Sequence, residues 1–326
     1  MPPAPPSRYL VTGAAGFIGS AIARALLGQG HAVRGLDDFS TGRRENLDGL
    51  ESLELLEGDL AEPGIAAAAC AEISCVFHEA AIPSVPRSVA DPLGTHRANV
   101  DATLRLLVAA RAAGVGRVIY AASSSAYGNQ PELPKREDMR PDPLSPYAAA
   151  KLAGEHYLRC FHAVYGLPTV ALRYFNVFGP RQDPASPYSA VLAKFITLML
   201  AGRAPVMDGD GEQSRDFTYI DNVVHANLLA AQAPEPEVAG RMFNIATGLR
   251  ITLNQVVAQL RPLTGYRGEV QHGPPRAGDV KHSQADIALA RRHLGYEPPV
   301  DFARGLAQTV AWYRQSRVAA SGGGPH

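Results

Sequence analysis

The stretch VTGAAGFIGS (residues 11–20) sets Gly13, Gly16 and Gly19 at three-residue intervals, after the strand-like run RYLVT and ahead of the helically spaced GFIGSAIARALLGQG. A glycine turn from strand to helix lets backbone approach a pyrophosphate, whose charge then rests on the helix N-terminus. Without a ligand the same residues make an ordinary tight turn, but the strand-before, helix-after context that the motif requires is present. The pattern then repeats. HAVRGLD, LELLEGDL and SCVFHEAA are short apolar runs ending near a polar residue. ANVDATLRLLVAARAAG sets Val100, Leu104, Leu107 and Val108 on one helical face; RVIYAAS and TVALRYFN read as strands flanking a helix at 147–165. Strands alternating with helices of this length imply right-handed βαβ units, hence an α/β fold with a doubly wound parallel sheet.

This Rossmann-type sheet is expected over residues 1–180 as an NAD-binding domain. After Asn176 the pattern loosens into loop-rich stretches and separate helices, which predicts a smaller C-terminal α/β substrate lobe over 181–326. Residues 1–7 and 320–326 read as mobile tails. The 326-residue chain carries 31 basic and 31 acidic side chains, a balance that argues against a general nucleic-acid binder. Three cysteines without a CxxC pair fit a reducing compartment. The start, MPPAPPSRYL, lacks a signal-peptide core, and no run approaches the ~20 apolar residues of a membrane helix. A cytoplasmic protein is expected.

Asp37 closes the second strand, 18 residues past Gly19. A carboxylate there hydrogen-bonds adenosine ribose hydroxyls and repels a 2′-phosphate, so NAD is expected over NADP. Arg43 and Arg44 are the counter-signal, read here as solvated loop charges. Asp59, followed by Leu60, is an adenine contact or equally a helix N-cap. Phe17 and Ile18, inside the glycine motif, complete the expected cofactor contacts. His78 is a strand-end residue beside the cofactor, and the remaining histidines form no metal pattern.

Tyr147 and Lys151 stand four residues apart at a helix start and so share a face. An ammonium near a phenol favours the phenolate, drawing a pKa of ~10 toward neutrality. Alone, such a pair is common by chance. Here Ser123, Ser124 and Ser125 follow the preceding strand, at the sheet edge where such folds bind ligands. A serine hydroxyl there donates to a substrate oxygen as its charge changes.

The glycine motif, the S-x-x-x-YG turn and the Y-x-x-x-K helix together resemble the extended short-chain dehydrogenase/reductase superfamily. The resemblance makes Ser123, Tyr147 and Lys151 catalytic, with Tyr147 and Lys151 also touching the cofactor. Members that dehydrate nucleotide sugars carry Asp-Glu where this chain has Ser124 and Ser125, and two serines cannot expel a C6 hydroxyl. Across about residues 8–315 the chain resembles nucleotide-sugar epimerases, most nearly UDP-N-acetylglucosamine 4-epimerases. That resemblance assigns Asn176, Arg215 and Arg276 to the sugar-nucleotide diphosphate, Asp279 to the uridine ribose, and Ser283 to the wall of the sugar pocket. Two guanidiniums on one pyrophosphate make charge-assisted, bidentate contacts.

The implied reaction is redox-neutral: Tyr147 takes the O4 proton while C4 gives its hydride to NAD, and the 4-keto sugar turns over before the hydride returns. A small residue at 283 leaves room for a 2-acetamido group, so UDP-GlcNAc/UDP-GalNAc ranks first, with UDP-glucose and UDP-glucuronate behind. For the uronate, Ser123–Ser125 are polar groups for a carboxylate. The resemblance further implies a homodimer through the helices at 95–113 and 147–163. A silent NAD-binding sensor is the rival from another class, disfavoured by the intact Ser123, Tyr147 and Lys151.

Overall fold

The computed structural model describes residues 8–184, 191–274 and 281–322, with side chains of the last helix through residue 316. Its centre is a seven-stranded sheet of β1 (Arg8–Thr12), β2 (Ala32–Asp37), β3 (Glu54–Glu57), β4 (Cys75–His78), β5 (Arg117–Ser123), β6 (Thr169–Tyr174) and β7 (Arg241–Ile245). The spatial order is β7-β6-β5-β4-β1-β2-β3, with every neighbouring pair parallel. The order reverses between β1 and β4, which opens a crevice at the strand C-termini there. β7 comes from the stretch expected to form the second lobe and instead completes the edge of this sheet.

Both faces are covered, which is why the strands read as near-continuous apolar runs. Leu10, Val76, Val118 and Tyr120 point to one face, with Leu106, Leu107 and Phe161. Val11, Phe77, Ile119 and Val170 point to the other, with Ile22, Leu26, Val223 and Ala230. Four helices hold the site: α1 (Phe17–Gly28), α2 (Ala102–Ala112), α3 (Pro146–Tyr165) and α4 (Ile220–Gln232). The stripe expected on α2 is different. Thr103, Leu106, Leu107 and Ala110 face the core and Val108 is 55% exposed. Small Thr103 faces inward because it hydrogen-bonds His78 from beneath the sheet (2.9 Å).

α3 begins where its sequence says it should. The Ser145 hydroxyl accepts from the Ala148 N–H (3.1 Å), Pro146 occupies the first turn, and Gly166 ends the helix at φ +68°. Such a cap and stop fix the register, putting Tyr147 and Lys151 in the first two turns. The helix is tied to β6 by a buried two-pronged ion pair. Arg173 Nε and Nη2 donate to the two Glu155 oxygens at 2.8 and 2.7 Å, with the guanidinium 4.5 Å from the Tyr127 ring centre.

The second lobe packs the helices Val191–Leu200, Leu253–Thr264 and Phe302–Gly322 around an aromatic cluster of Phe178, Phe217, Tyr219 and Phe302. The last helix runs into the stretch expected as a C-terminal tail; the expected tail at 1–7 lies outside the described residues. Asp216, fully buried, ties three segments by accepting from Thr247 N and Oγ1, Gly248 N and Ala285 N. Among the described residues no helix is long and apolar enough to cross a membrane.

Removing one partner of a buried ion pair strands the other charge. Arg173→Met is expected to cost about 3–5 kcal/mol and lower Tm on the order of 10 °C, as read by thermal unfolding.

Candidate active site

The crevice at the strand-order reversal is a cavity of about 880 Å³, ample for a dinucleotide and part of a second ligand. Gly13, Gly16, Phe17, Ile18 and Gly19 line one end. Gly13 has φ +67°; a β-carbon on it would lie 2.8 Å from Ala80 N, and one on Gly19 would lie 2.0 Å from the Gly13 carbonyl oxygen. Only glycine allows that approach. No side chain caps the N-terminus of α1, so its first-turn N–H groups suit the pyrophosphate of a dinucleotide.

Asp37, Asp59 and Leu60 line the same cavity. The Asp37 carboxylate accepts from Ala15 N and Phe39 N, each at 2.8 Å, and burial pushes its pKa up. Asp59 does two things: Oδ1 accepts from Ala61 N, as a cap would, and Oδ2 accepts from Arg97. Arg43 lies in the cavity wall and pairs with Glu45 and Asp183; Arg44 pairs with Glu57 and lies over the Phe39 ring. Both arginines thus have carboxylate partners, while Asp37 faces the cavity. These residues fit NAD.

Tyr147, Lys151 and Asn176 close the other end. Ser123 Oγ accepts from both the N–H and the hydroxyl of Ser125 (3.2 and 2.8 Å). Its lone pairs are thereby taken, which leaves its hydrogen for Tyr147, with which it is also bonded. Lys151 donates to the Ala121 carbonyl (2.8 Å) and lies 4.8 Å from the Tyr120 ring centre.

The Tyr147 pKa departs from the expectation. Burial pushes it up, the Ser123 hydrogen bond pulls it down, and nearby Glu79 pushes it up again. In the protein alone the low-dielectric surroundings outweigh the hydroxyl donor.

His78 is no proton carrier. Thr103 donates to Asn99 O, so it accepts from His78 Nε2–H, leaving Nδ1 to accept from Thr12. Burial, assisted by the Lys151 charge, holds its pKa down at about 3.

Ser124 follows Ser123 in a short turn of helix. Asn176 adopts φ +34°, its amide donating to Asp216 O (3.0 Å). Arg215 and Ser283 lie in adjoining segments, not in the lining of the cavity: Arg215 donates to the Ser214 and Lys281 carbonyls, and Ser283 N donates to Ser214 O. Arg276 and Asp279 fall outside the described residues. Glu79 and Arg181 line the cavity without having been singled out. For Glu79 the signal was present, a carboxylate directly after a parallel strand.

A family model described as "NAD dependent epimerase/dehydratase family" matches residues 9–246. A UDP-glucose 4-epimerase of Mycolicibacterium smegmatis is 42% identical over 94% of this chain and 98% of its own. Two solved structures share the fold. One is a UDP-N-acetylglucosamine 4-epimerase from Methanobrevibacter ruminantium in complex with UDP-N-acetylmuramic acid (TM-score 0.90, 40% identity, 95% and 99% coverage). The other is a UDP-glucuronic acid 4-epimerase from Bacillus cereus in complex with UDP-glucuronic acid and NAD (0.87, 32%, 95% and 99%).

Strain from a β-carbon at residue 19 costs about 1–3 kcal/mol, or roughly 5–150-fold in affinity. Gly19→Ala is therefore expected to bind NAD at least about fivefold more weakly, measured by titration, while its circular dichroism stays native. The glycine cradle, the Ser123–Tyr147–Lys151 cluster and the whole-length relatives agree: the chain belongs to the NAD-dependent epimerase/dehydratase family, as an enzyme of its UDP-sugar 4-epimerase branch.

Proposed function

We propose that the chain inverts C4 of a UDP-hexose, with UDP-GlcNAc and UDP-GalNAc as the preferred pair. The observation that carries the substrate choice is Ser283. It is a small, half-buried side chain whose backbone is joined to Ser214 beside Arg215. Arg215, with Arg276 and Asp279, holds the UDP, so the sugar beyond it meets a serine where a bulky aromatic would exclude a 2-acetamido group. The kinship with a UDP-N-acetylglucosamine 4-epimerase supports this reading.

Bound NAD supplies a hydride acceptor in the cavity. The single Ser123 hydrogen turns to Tyr147 or to the substrate O4, steadying whichever oxygen is negative. Tyr147 removes the O4 proton as the hydride leaves C4, and returns it after the 4-keto sugar has presented its other face. Lys151 keeps positive charge beside that phenolate. Arg215 and Asn176 anchor the diphosphate so that the hexose alone rotates. Ser124 and Ser125 give the ring small polar neighbours.

A second reading is supported by the serine cluster: hydroxyls at 123–125 suit a C6 carboxylate, as in the uronate epimerases to which the chain is also related. We infer further that the sheet, to which α4 and β7 return from past residue 180, forms the cofactor part and the second lobe the sugar-nucleotide part, and that the enzyme is a homodimer. Val89, Leu93 and Val108, 66, 83 and 55% exposed on the helices of 85–112, support the dimer; light scattering at working concentration reads it.

Purified protein without added cofactor is incubated with UDP-GlcNAc, UDP-glucose and UDP-glucuronate in parallel. Epimer is expected fastest from UDP-GlcNAc, whereas faster turnover of the uronate would reassign the serines. Tyr147→Phe is expected to lower kcat by about 10²–10⁴ with NAD content unchanged. Ser283→Tyr is expected to lower kcat/KM for UDP-GlcNAc about 10–200-fold relative to UDP-glucose, since pocket volume is worth a few kcal/mol. An unchanged ratio would remove the basis of the substrate choice.

A further inference from the structure

Glu79 stands one residue past the end of β4, in the wall of the cavity that holds Tyr147 and Lys151. Its carboxylate is aimed by a chain of side chains crossing the sheet. Tyr174, at the tip of β6, donates its hydroxyl to Glu79 Oε1 (2.9 Å). Asn227, fully buried on α4, donates its amide to the Tyr174 oxygen (2.8 Å) and to Val223 O (2.9 Å). With its oxygen occupied by Asn227, the Tyr174 hydroxyl has its proton turned toward Glu79. Asn227 Oδ1 has no partner among the described residues. A buried amide is thus left half satisfied while its other end orients a tyrosine, which is costly unless the tyrosine must point one way.

We propose that Glu79 is a positioning residue of the acid–base site: its carboxylate supplies the counter-charge that keeps Lys151 an ammonium while Tyr147 is a phenolate. The inference rests on the proposed role of Tyr147.

Other charges around Glu79 are committed elsewhere. Glu155, on α3, is bound through both oxygens to Arg173 and pushes Lys151 up in the same sense as Glu79 but less. His78, on β4, is held neutral by burial and by the Lys151 charge. Tyr120 on β5 and Tyr174 on β6 are buried phenols pushed up well above their ordinary range by burial, and so stay neutral. Burial pushes Lys151 down and Glu79 up, and each charge opposes that push on the other. Glu79 also pushes Tyr147 up. The sign is therefore fixed. Without the carboxylate, Lys151 loses its proton at lower pH and Tyr147 ionises at lower pH, so both limbs of the activity profile move toward acid.

The chain has only four lysines, Lys135, Lys151, Lys194 and Lys281. Lysine labelled with ¹³C at Cε therefore gives four signals in the NAD-loaded enzyme, with Lys151 assigned by its loss in Lys151→Met. In Glu79→Gln the Lys151 midpoint is expected to fall by about one pH unit or more, the size of one close charge. Glu79→Asp should restore part of it, and the limbs of kcat/KM against pH should move with it. Tyr174→Phe, which keeps the carboxylate but releases its aim, should give a smaller fall in the same direction and serves if Glu79→Gln does not fold. A Lys151 midpoint unchanged in folded variants overturns the proposal. The titration needs no substrate, so a wild-type enzyme that epimerised none of the UDP-sugars would sink the functional reading and leave this test standing.

Discussion

The close approach of two loops makes this site. The turn after β1 lies against the turn after β4, with a β-carbon on Gly13 only 2.8 Å from Ala80 N. These are the two strands between which the sheet order reverses, so the contact closes the floor of the crevice. Thr12 seals it, accepting from Ala80 N and bonding His78. With the floor fixed, Glu79 and Ala80 face the cavity from one side and the start of α1 from the other. A bulkier residue at 13 would part the loops, and both the pyrophosphate cradle and the placement of Glu79 would go with it.

The Tyr147–Lys151 end of the cavity depends on long-range polar ties that oppose the cost of burying charge. α3 carries Tyr147 and Lys151, and the Arg173–Glu155 pair pins that helix to β6 at two points. The cavity wall carries both signs, with Arg43, Arg87, Lys151 and Arg181 beside Asp37, Asp38, Asp59, Glu79 and Asp183. Ser123 Oγ, for its part, is fixed by the N–H and hydroxyl of Ser125.

Much of this was legible in the sequence because it is local. Three glycines at fixed spacing, a capped helix bearing Tyr147 and Lys151, and a serine after a strand need only the periodicity of their own elements. Asp37 at a strand end was readable for the same reason. What spacing could not show are partners joined by topology. Tyr174 meets Glu79 across 95 positions and Asn227 meets Tyr174 across 53. β7 joins the sheet from the far side of the expected boundary, which no alternation within the run MFNIAT reveals. The upward push on the Tyr147 pKa was missed for a physical reason: the i, i+4 pairing with Lys151 is visible in sequence, but the depth of burial is not. The stripe on α2 failed likewise, since the tie between Thr103 and His78 decides which face turns inward.

The central claim is that the hydrogen at C4 leaves and returns within one closed site. UDP-GlcNAc carrying deuterium at C4 tests it directly, with the product analysed by NMR after incubation in ordinary water without added NAD. The expected result is a C4 epimer that keeps its deuterium at C4, with no NADH released. Replacement of the deuterium by solvent hydrogen, or consumption of added NAD in step with product, would contradict the account.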